Sequence, residues 1–228
     1  MEINPNVHRV PGSRGANIYL LIDPELTLVD AGMPGQTGTI LSYIEGLGLA
    51  ADDLSRIVIT HDHQDHVGSL ANLRHRTSAQ VIAHRAEALF ISGEQPQPLP
   101  PGALMRLLVR LAPIMPKAEP APVDVMVQDG DHLDLLGGAT VVHVPGHTPG
   151  SIALHLPSEG MLICGDAIDH CGGRLGPPPK AFTLDMDQAM NSVRRMAELD
   201  FDVLCPGHGA PIAGGADNMV RAMVRDWP

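Results

Sequence analysis

Three imidazoles and two carboxylates fall within six residues, His61-Asp62-His63-Gln64-Asp65-His66, directly after the apolar run Arg56-Ile57-Val58-Ile59-Thr60. Such groups at the end of a buried strand must find partners or reach water, because an unpaired polar group in the interior costs free energy. Metal coordination answers both needs. Imidazole suits zinc, iron, copper and nickel, and carboxylate offsets the charge of the ion. His61 and His63, two residues apart, can turn to one ion, while Asp65 and His66, opening the helix that follows, can face a second. A solvated turn that is merely rich in histidine is the bland alternative.

Further polar loops weigh against that alternative. Asp30-Ala31-Gly32, Pro145-Gly146-His147-Thr148-Pro149-Gly150, Gly165-Asp166-Ala167 and Pro206-Gly207-His208-Gly209 each follow an apolar run directly. Asp30, His61, His147, Asp166 and His208 therefore sit just past five strand-like segments from both halves of the chain. Loops at the carboxyl ends of strands are where open α/β sheets assemble sites. Glycine beside His147, Asp166 and His208 lets backbone approach closely. Asp30 reads as a hydrogen-bonding support for the neighbouring loop rather than a ligand. His84, a single histidine at a strand end, stays outside the site.

The elements that must position these groups follow from periodicity. Strands are expected at Asn17 to Ile22, Leu26 to Val29, Arg56 to Thr60, Gln80 to Ala83, Leu133 to Leu136, Ala139 to Val144, Ile152 to Leu156, Met161 to Cys164 and Val203 to Cys205. Helices are expected at Thr37 to Leu47, Val67 to Arg76 and Met186 to Leu199. Residues 93 to 123 differ: Pro96, Pro98, Pro100 and Pro101 precede an apolar, helix-like Ala103 to Leu111, and Pro113, Pro116, Pro120 and Pro122 follow it. Proline at that density interrupts regular elements. The stretch reads as an excursion from the core, serving either as a lid over a substrate pocket or as a contact in a homodimer.

Size and charge set the outer bounds. A chain of 228 residues, 44% hydrophobic, is expected to form a single domain, 1–228. Net charge of −11 disfavours nucleic acid and anionic membrane surfaces as partners. The start of the chain has no signal-peptide pattern and no run long enough to span a bilayer, so a cytoplasmic location is expected. Cys164, Cys171 and Cys205 are too few for a disulfide framework, and Cys164 and Cys205 read as small packed hydrophobes.

The ordered combination His61-Asp62-His63-Gln64-Asp65-His66, His147 in Pro-Gly-His-Thr-Pro-Gly, Asp166 in Cys-Gly-Asp and His208 in Pro-Gly-His-Gly resembles the metallo-β-lactamase superfamily across nearly the whole chain. The resemblance implies an α+β fold, a four-layer αββα sandwich of two mixed sheets with outer helices. It implies that His61, His63 and His147 hold a first divalent ion, that Asp65, His66 and His208 hold a second, and that Asp166 bridges them. Zinc is the leading candidate, with iron and manganese compatible. Such a pair of ions shares a hydroxide as nucleophile and polarises a carbonyl, and Asp65, the candidate catalytic residue, or a metal-bound water returns a proton to the leaving group.

The family serves many reactions. The aspartate at 166 argues against β-lactamases that use a cysteine ligand there, although strand alternation places Cys164 on the same side. The ligand set resembles that of glyoxalase II. Only 20 residues follow His208, leaving no room for the helical region that contacts glutathione in that enzyme. No tyrosine lies between Asp166 and His208 to match the quorum-lactone lactonases. A hydrolase of a small ester, thioester or lactone is the expectation, with His170, Arg174, Lys180 and Phe182 as candidate pocket residues. The alternatives are a mononuclear iron enzyme similar to persulfide dioxygenases and a β-lactam hydrolase.

Overall fold

Ile57, Val58 and Ile59 are 0% exposed, the mark of a strand covered on both faces. What covers them is a helix layer on one side and a second sheet on the other. A computed structural model describes residues 1–98 and 117–227. Strands β1 (Glu2–Asn4), β2 (Val7–Arg9), β3 (Tyr19–Leu21), β4 (Leu26–Val29), β5 (Leu54–Ile59), β6 (Gln80–His84) and β7 (Val125–Val127) form one sheet in sequence order. Pairing is antiparallel as far as β4 and parallel beyond it.

The second sheet uses β8 (His132–Leu133), β9 (Ala139–His143), β10 (Ile152–Leu156), β11 (Met161–Gly165), β14 (Val203–Pro206) and β15 (Ile212–Ala213), in the order β15-β14-β11-β10-β9-β8. Only β11 and β14 pair in parallel. Since β10 is antiparallel to both β9 and β11, the strands β9, β11 and β14 all deliver their following loops to one end. A separate ribbon joins β12 (Asp169–Cys171) to β13 (Arg174–Gly176).

Side-chain alternation builds the layers. Tyr19, Leu21, Val29 and Val58 point inward and meet Val141, Ile152, Leu154 and Ile163 of the second sheet. The intervening Leu20, Leu28, Ile57 and Ile59 point outward, against Ile40 and Ile44 of α1 (Thr37–Gly46) and Leu70 and Leu73 of α3 (Leu70–Thr77). On the far side, Val142, Leu162 and Leu204 pack against Val193 and Met196 of α5 (Met186–Met196) and Val220 of α6 (Ala216–Arg225). The result is the expected αββα sandwich.

Two boundaries differ from expectation for local reasons. The helix read as Val67 to Arg76 is broken into α2 (Gln64–Val67) and α3, because Gly68 lies against the backbone of Pro34 where no side chain would fit. The strand read as Leu133 to Leu136 ends at Leu133, since Leu136 turns into the left-handed region at φ 48° and leads into Gly137-Gly138. The helix read at Ala103 to Leu111 lies outside the described residues. On either side of it, Ala121 is buried in the helix-side core beside Ile91 of α4 (Ala88–Ile91), which also takes Ala118 and Val123.

Leu154, fully buried between the sheets, gives the energetic check. Leu154→Ala is expected to cost about 2–5 kcal/mol through lost burial and the cavity left behind. The exposed Met219→Ala should stay within about 0.5 kcal/mol of the parent. Urea denaturation midpoints with unchanged slopes check both.

Candidate metal centre

The site begins with a strained aspartate. Asp30 follows β4 with φ at 64°, a region an L-residue enters at a cost of about 1–2 kcal/mol, and it is 2% exposed. That turn sends its carboxylate across to the end of β5. Oδ1 accepts the Thr60 backbone N–H at 2.8 Å, and Oδ2 accepts the Thr60 hydroxyl at 2.8 Å and lies 2.7 Å from His66 Nδ1. Thr60 immediately precedes His61. One carboxylate thus orients ligands from both parts of the histidine loop.

The other ligands arrive from the second sheet. His61, His63, His147 and Asp166 present one ligand atom each within 4.8 Å of one another, and Asp65, His66 and His208 do the same. Asp166 joins the groups: Oδ2 is 3.5 Å from His147 Nε2 and 3.3 Å from His208 Nε2, and Oδ1 is 3.2 Å from His66 Nε2. His63 turns its Nδ1 inward, 3.0 Å from His147 Nε2. Asp65 Oδ2 lies 3.3 Å from His208 Nε2. All seven side chains named from the sequence converge on this one end of the sandwich.

These residues fit divalent metal ions on their own chemistry. His61 Nε2 is buried and has no hydrogen-bond partner among the described residues, and His66 Nε2 and Asp166 Oδ1, equally buried, lie 3.2 Å apart without forming a hydrogen bond; all three face the cluster. Leaving such groups unmet costs roughly 1–3 kcal/mol each. A cation among them satisfies all three at once.

Electrostatics separates the two groups. Burial and then the facing imidazoles push His61 well below the usual histidine range, and burial and then His63 bring His147 down to about 3. These rings are neutral, the form that binds metal. Hydrogen bonds that His208 donates to Asp166 and then Asp65 instead raise its ring to about 10. Burial opposes charge on His66, but Asp30 and Asp166 outweigh it and raise the ring well above its ordinary value. Burial also opposes ionisation of Asp65, yet the His208 hydrogen bond and His66 hold it down to about 2. The carboxylates around the second group therefore demand positive charge, and protons supply it where an ion does not.

A cavity of about 780 Å³ opens over this cluster. Among the described residues its walls include Val67, Leu70, Phe90, Ile91, Phe182 and Leu184. Of the four pocket candidates read from the sequence, Phe182 lines it. His170 does not, and its Nδ1 lies 2.6 Å from Ala210 O; Arg174 and Lys180 are likewise not among the lining residues. Cys164 also departs from expectation: a bulge between Ile163 and Gly165 breaks the alternation, and the thiol packs in the α5 layer with its Sγ towards Gly165 O and Ile168 O.

Supporting groups without a motif escaped the sequence reading. Asn17 Nδ2 donates to Pro206 O at 2.9 Å and Gly209 O at 2.7 Å, straddling the His208 loop, and the buried Tyr19 hydroxyl donates to Pro206 O at 2.6 Å. Gly207 is required sterically, because a Cβ there would overlap Asp166 Oδ1 and crowd His66. A polar residue beside an apolar strand was the only available signal for Asn17.

Residues 11–208 match the metallo-beta-lactamase superfamily. The chain belongs to that superfamily. It is 28% identical over 218 residues to the probable metallo-hydrolase YflN of Bacillus subtilis, covering 87% of this chain and 82% of that protein. It is 33% identical over 197 residues to a hydroxyacylglutathione hydrolase of Ruegeria pomeroyi, covering 83% of this chain but 61% of the relative. The metallo-beta-lactamase family protein TTHA1429 of Thermus thermophilus superposes with a TM-score of 0.75 at 24% identity, over 98% of this chain and 79% of that one. This superfamily member carries the histidine and aspartate cluster suited to divalent metal, and its relatives bear the names probable metallo-hydrolase and hydroxyacylglutathione hydrolase. Among the described residues no helix is long and apolar enough to cross a membrane.

Two outcomes are expected for this superfamily member. Zinc added to chelator-treated protein should raise its melting temperature with increasing free zinc, by about 2.7 kcal/mol of stabilisation at one hundred times the Kd. Asp30→Asn, which puts an amide donor where an acceptor is needed, should lower zinc affinity about 10–100-fold in a folded chain, measured by competition with a chromophoric chelator.

Proposed function

We propose that the chain is a dinuclear metal-dependent hydrolase of a small ester, thioester or lactone. The carrying observation is the convergence of seven candidate ligand side chains, five of which, His63, Asp65, His147, Asp166 and His208, line an open cavity. In the proposed arrangement His61, His63 and His147 hold one ion, Asp65, His66 and His208 hold another, and Asp166 spans both. Bound there, divalent ions, with zinc the leading candidate, supply Lewis acidity towards a carbonyl oxygen and an acidified water.

The chain's own residues divide the remaining work. Val67, Leu70 and Phe90 offer apolar surface that shields the reacting carbonyl from bulk water, and Phe182 offers a face for the acyl or leaving group. Asp65 lies on the cavity floor with its carboxylate held down to about 2, so near neutrality it is an ionised acceptor that takes the attacking water's proton and passes it to the leaving group as the acyl bond breaks. Relatives named hydroxyacylglutathione hydrolases support cleavage of an acyl bond by water as the reaction class. The chain spans 61% of the length of two of these, so the full set of substrate contacts in those proteins is not carried over.

Elemental analysis of protein purified without added metal should return close to two divalent ions per chain, with turnover on a panel of thioesters and lactones. Asp166→Ala and His63→Ala should each lower kcat by at least about 10³-fold while far-UV circular dichroism stays at the parent value. Full activity in either variant overturns the site. One iron per chain with oxygen uptake on a persulfide, and no hydrolysis, overturns the reaction.

A further inference from the structure

Glu87 follows β6, outside both ligand groups, and is 0% exposed. A carboxylate is seldom buried so completely unless donors surround it. Its donors come from the two loops that carry the first ligand group. Oε2 accepts the backbone N–H of Asp62 at 2.9 Å, between His61 and His63, and Oε1 accepts the backbone N–H of Gly150 at 2.6 Å, three residues beyond His147. One loop belongs to the first sheet and the other to the second.

We propose that Glu87 is a positioning residue that sets the spacing between the His61-His63 loop and the His147 loop, and through it the affinity of the first ligand group for its ion. This rests on the metal-centre reading above. Two further observations fit a built clamp. Gly150 is the residue that admits the carboxylate: a Cβ there would stand 2.7 Å from Glu87 Cγ and 2.9 Å from Oε1. The Gln97 amide closes the His61-His63 loop from outside, donating to Asp62 O at 2.5 Å. An amide in place of Glu87 keeps one acceptor and turns a donor towards the other N–H, so one loop is released while shape is nearly kept.

The test isolates the first group by working in a His208→Ala background, which removes a ligand of the second. Zinc is titrated into the metal-free protein against a chromophoric chelator, with and without Glu87→Gln. Outer hydrogen-bond partners of metal ligands typically carry 10–100-fold in affinity. The expected result is a loss of about that size in Glu87→Gln, with the metal-free far-UV spectrum unchanged. Gly150→Ala, which drives the carboxylate off from the other side, should reproduce the loss and serves where Glu87→Gln does not fold. Equal zinc affinity in the His208→Ala parent and either folded double variant overturns the clamp. Absence of zinc binding by the unmodified chain overturns the metal-centre reading instead.

Discussion

The site depends on one carboxylate that need not touch an ion. Asp30 is held in a left-handed backbone conformation, and its two oxygens take the Thr60 amide, the Thr60 hydroxyl and the His66 ring. Thr60 in turn accepts the backbone N–H of Ile152 at 2.9 Å, so the same residue that orients His61 joins the two sheets. Docking of the sheets and aiming of the ligands are therefore one event. The strain at Asp30 persists because several hydrogen bonds and a closed core put the alternative conformations out of reach.

Charge explains why the cluster needs such support. Asp30, Asp65 and Asp166 bring three carboxylates close to five imidazoles, of which His61, His66 and His147 are buried. Within the first group burial wins and lowers the rings' hold on a proton; within the second the carboxylates win and raise it. An ion entering the first group meets ready ligands, whereas one entering the second displaces protons from His66 and His208. The two halves of the centre differ in this way although their side chains are much alike.

The ligand loops were legible in the sequence because each is a polar group placed directly after a buried run, where period-two patterning and glycine mark the strand end. The layers were legible for the same reason: runs such as Ile57-Val58-Ile59 have no solvent face to offer. Short elements were not. β1, β2, β7, β15 and the β12–β13 ribbon span two or three residues each, too few for a period to register, and they exist because neighbouring strands supply the hydrogen bonds. Helix α6 did carry a readable signal that the sequence reading passed over, since Ala216, Val220, Met223 and Val224 recur at helical spacing and pack on the far-side core. Asn17, Tyr19 and Glu87 act across distances of 25 to 192 residues in sequence, through hydrogen bonds that no local spacing encodes.

Chemistry and recognition occupy different parts of the fold, and this sets what the sequence can convey about each. Ligands must offer a particular atom at a particular place, so residue type alone carries the message. The cavity wall asks less of its residues: Val67, Leu70, Phe90 and Phe182 contribute bulk and apolar surface, which many side chains provide equally well. Their contribution is shape, set by where the loop before α5 and the segment around Pro120 come to rest against the sandwich. The cavity thus places apolar walls, interrupted by Gln97, Lys117 and Glu119, over a floor whose polar groups come from the strand ends.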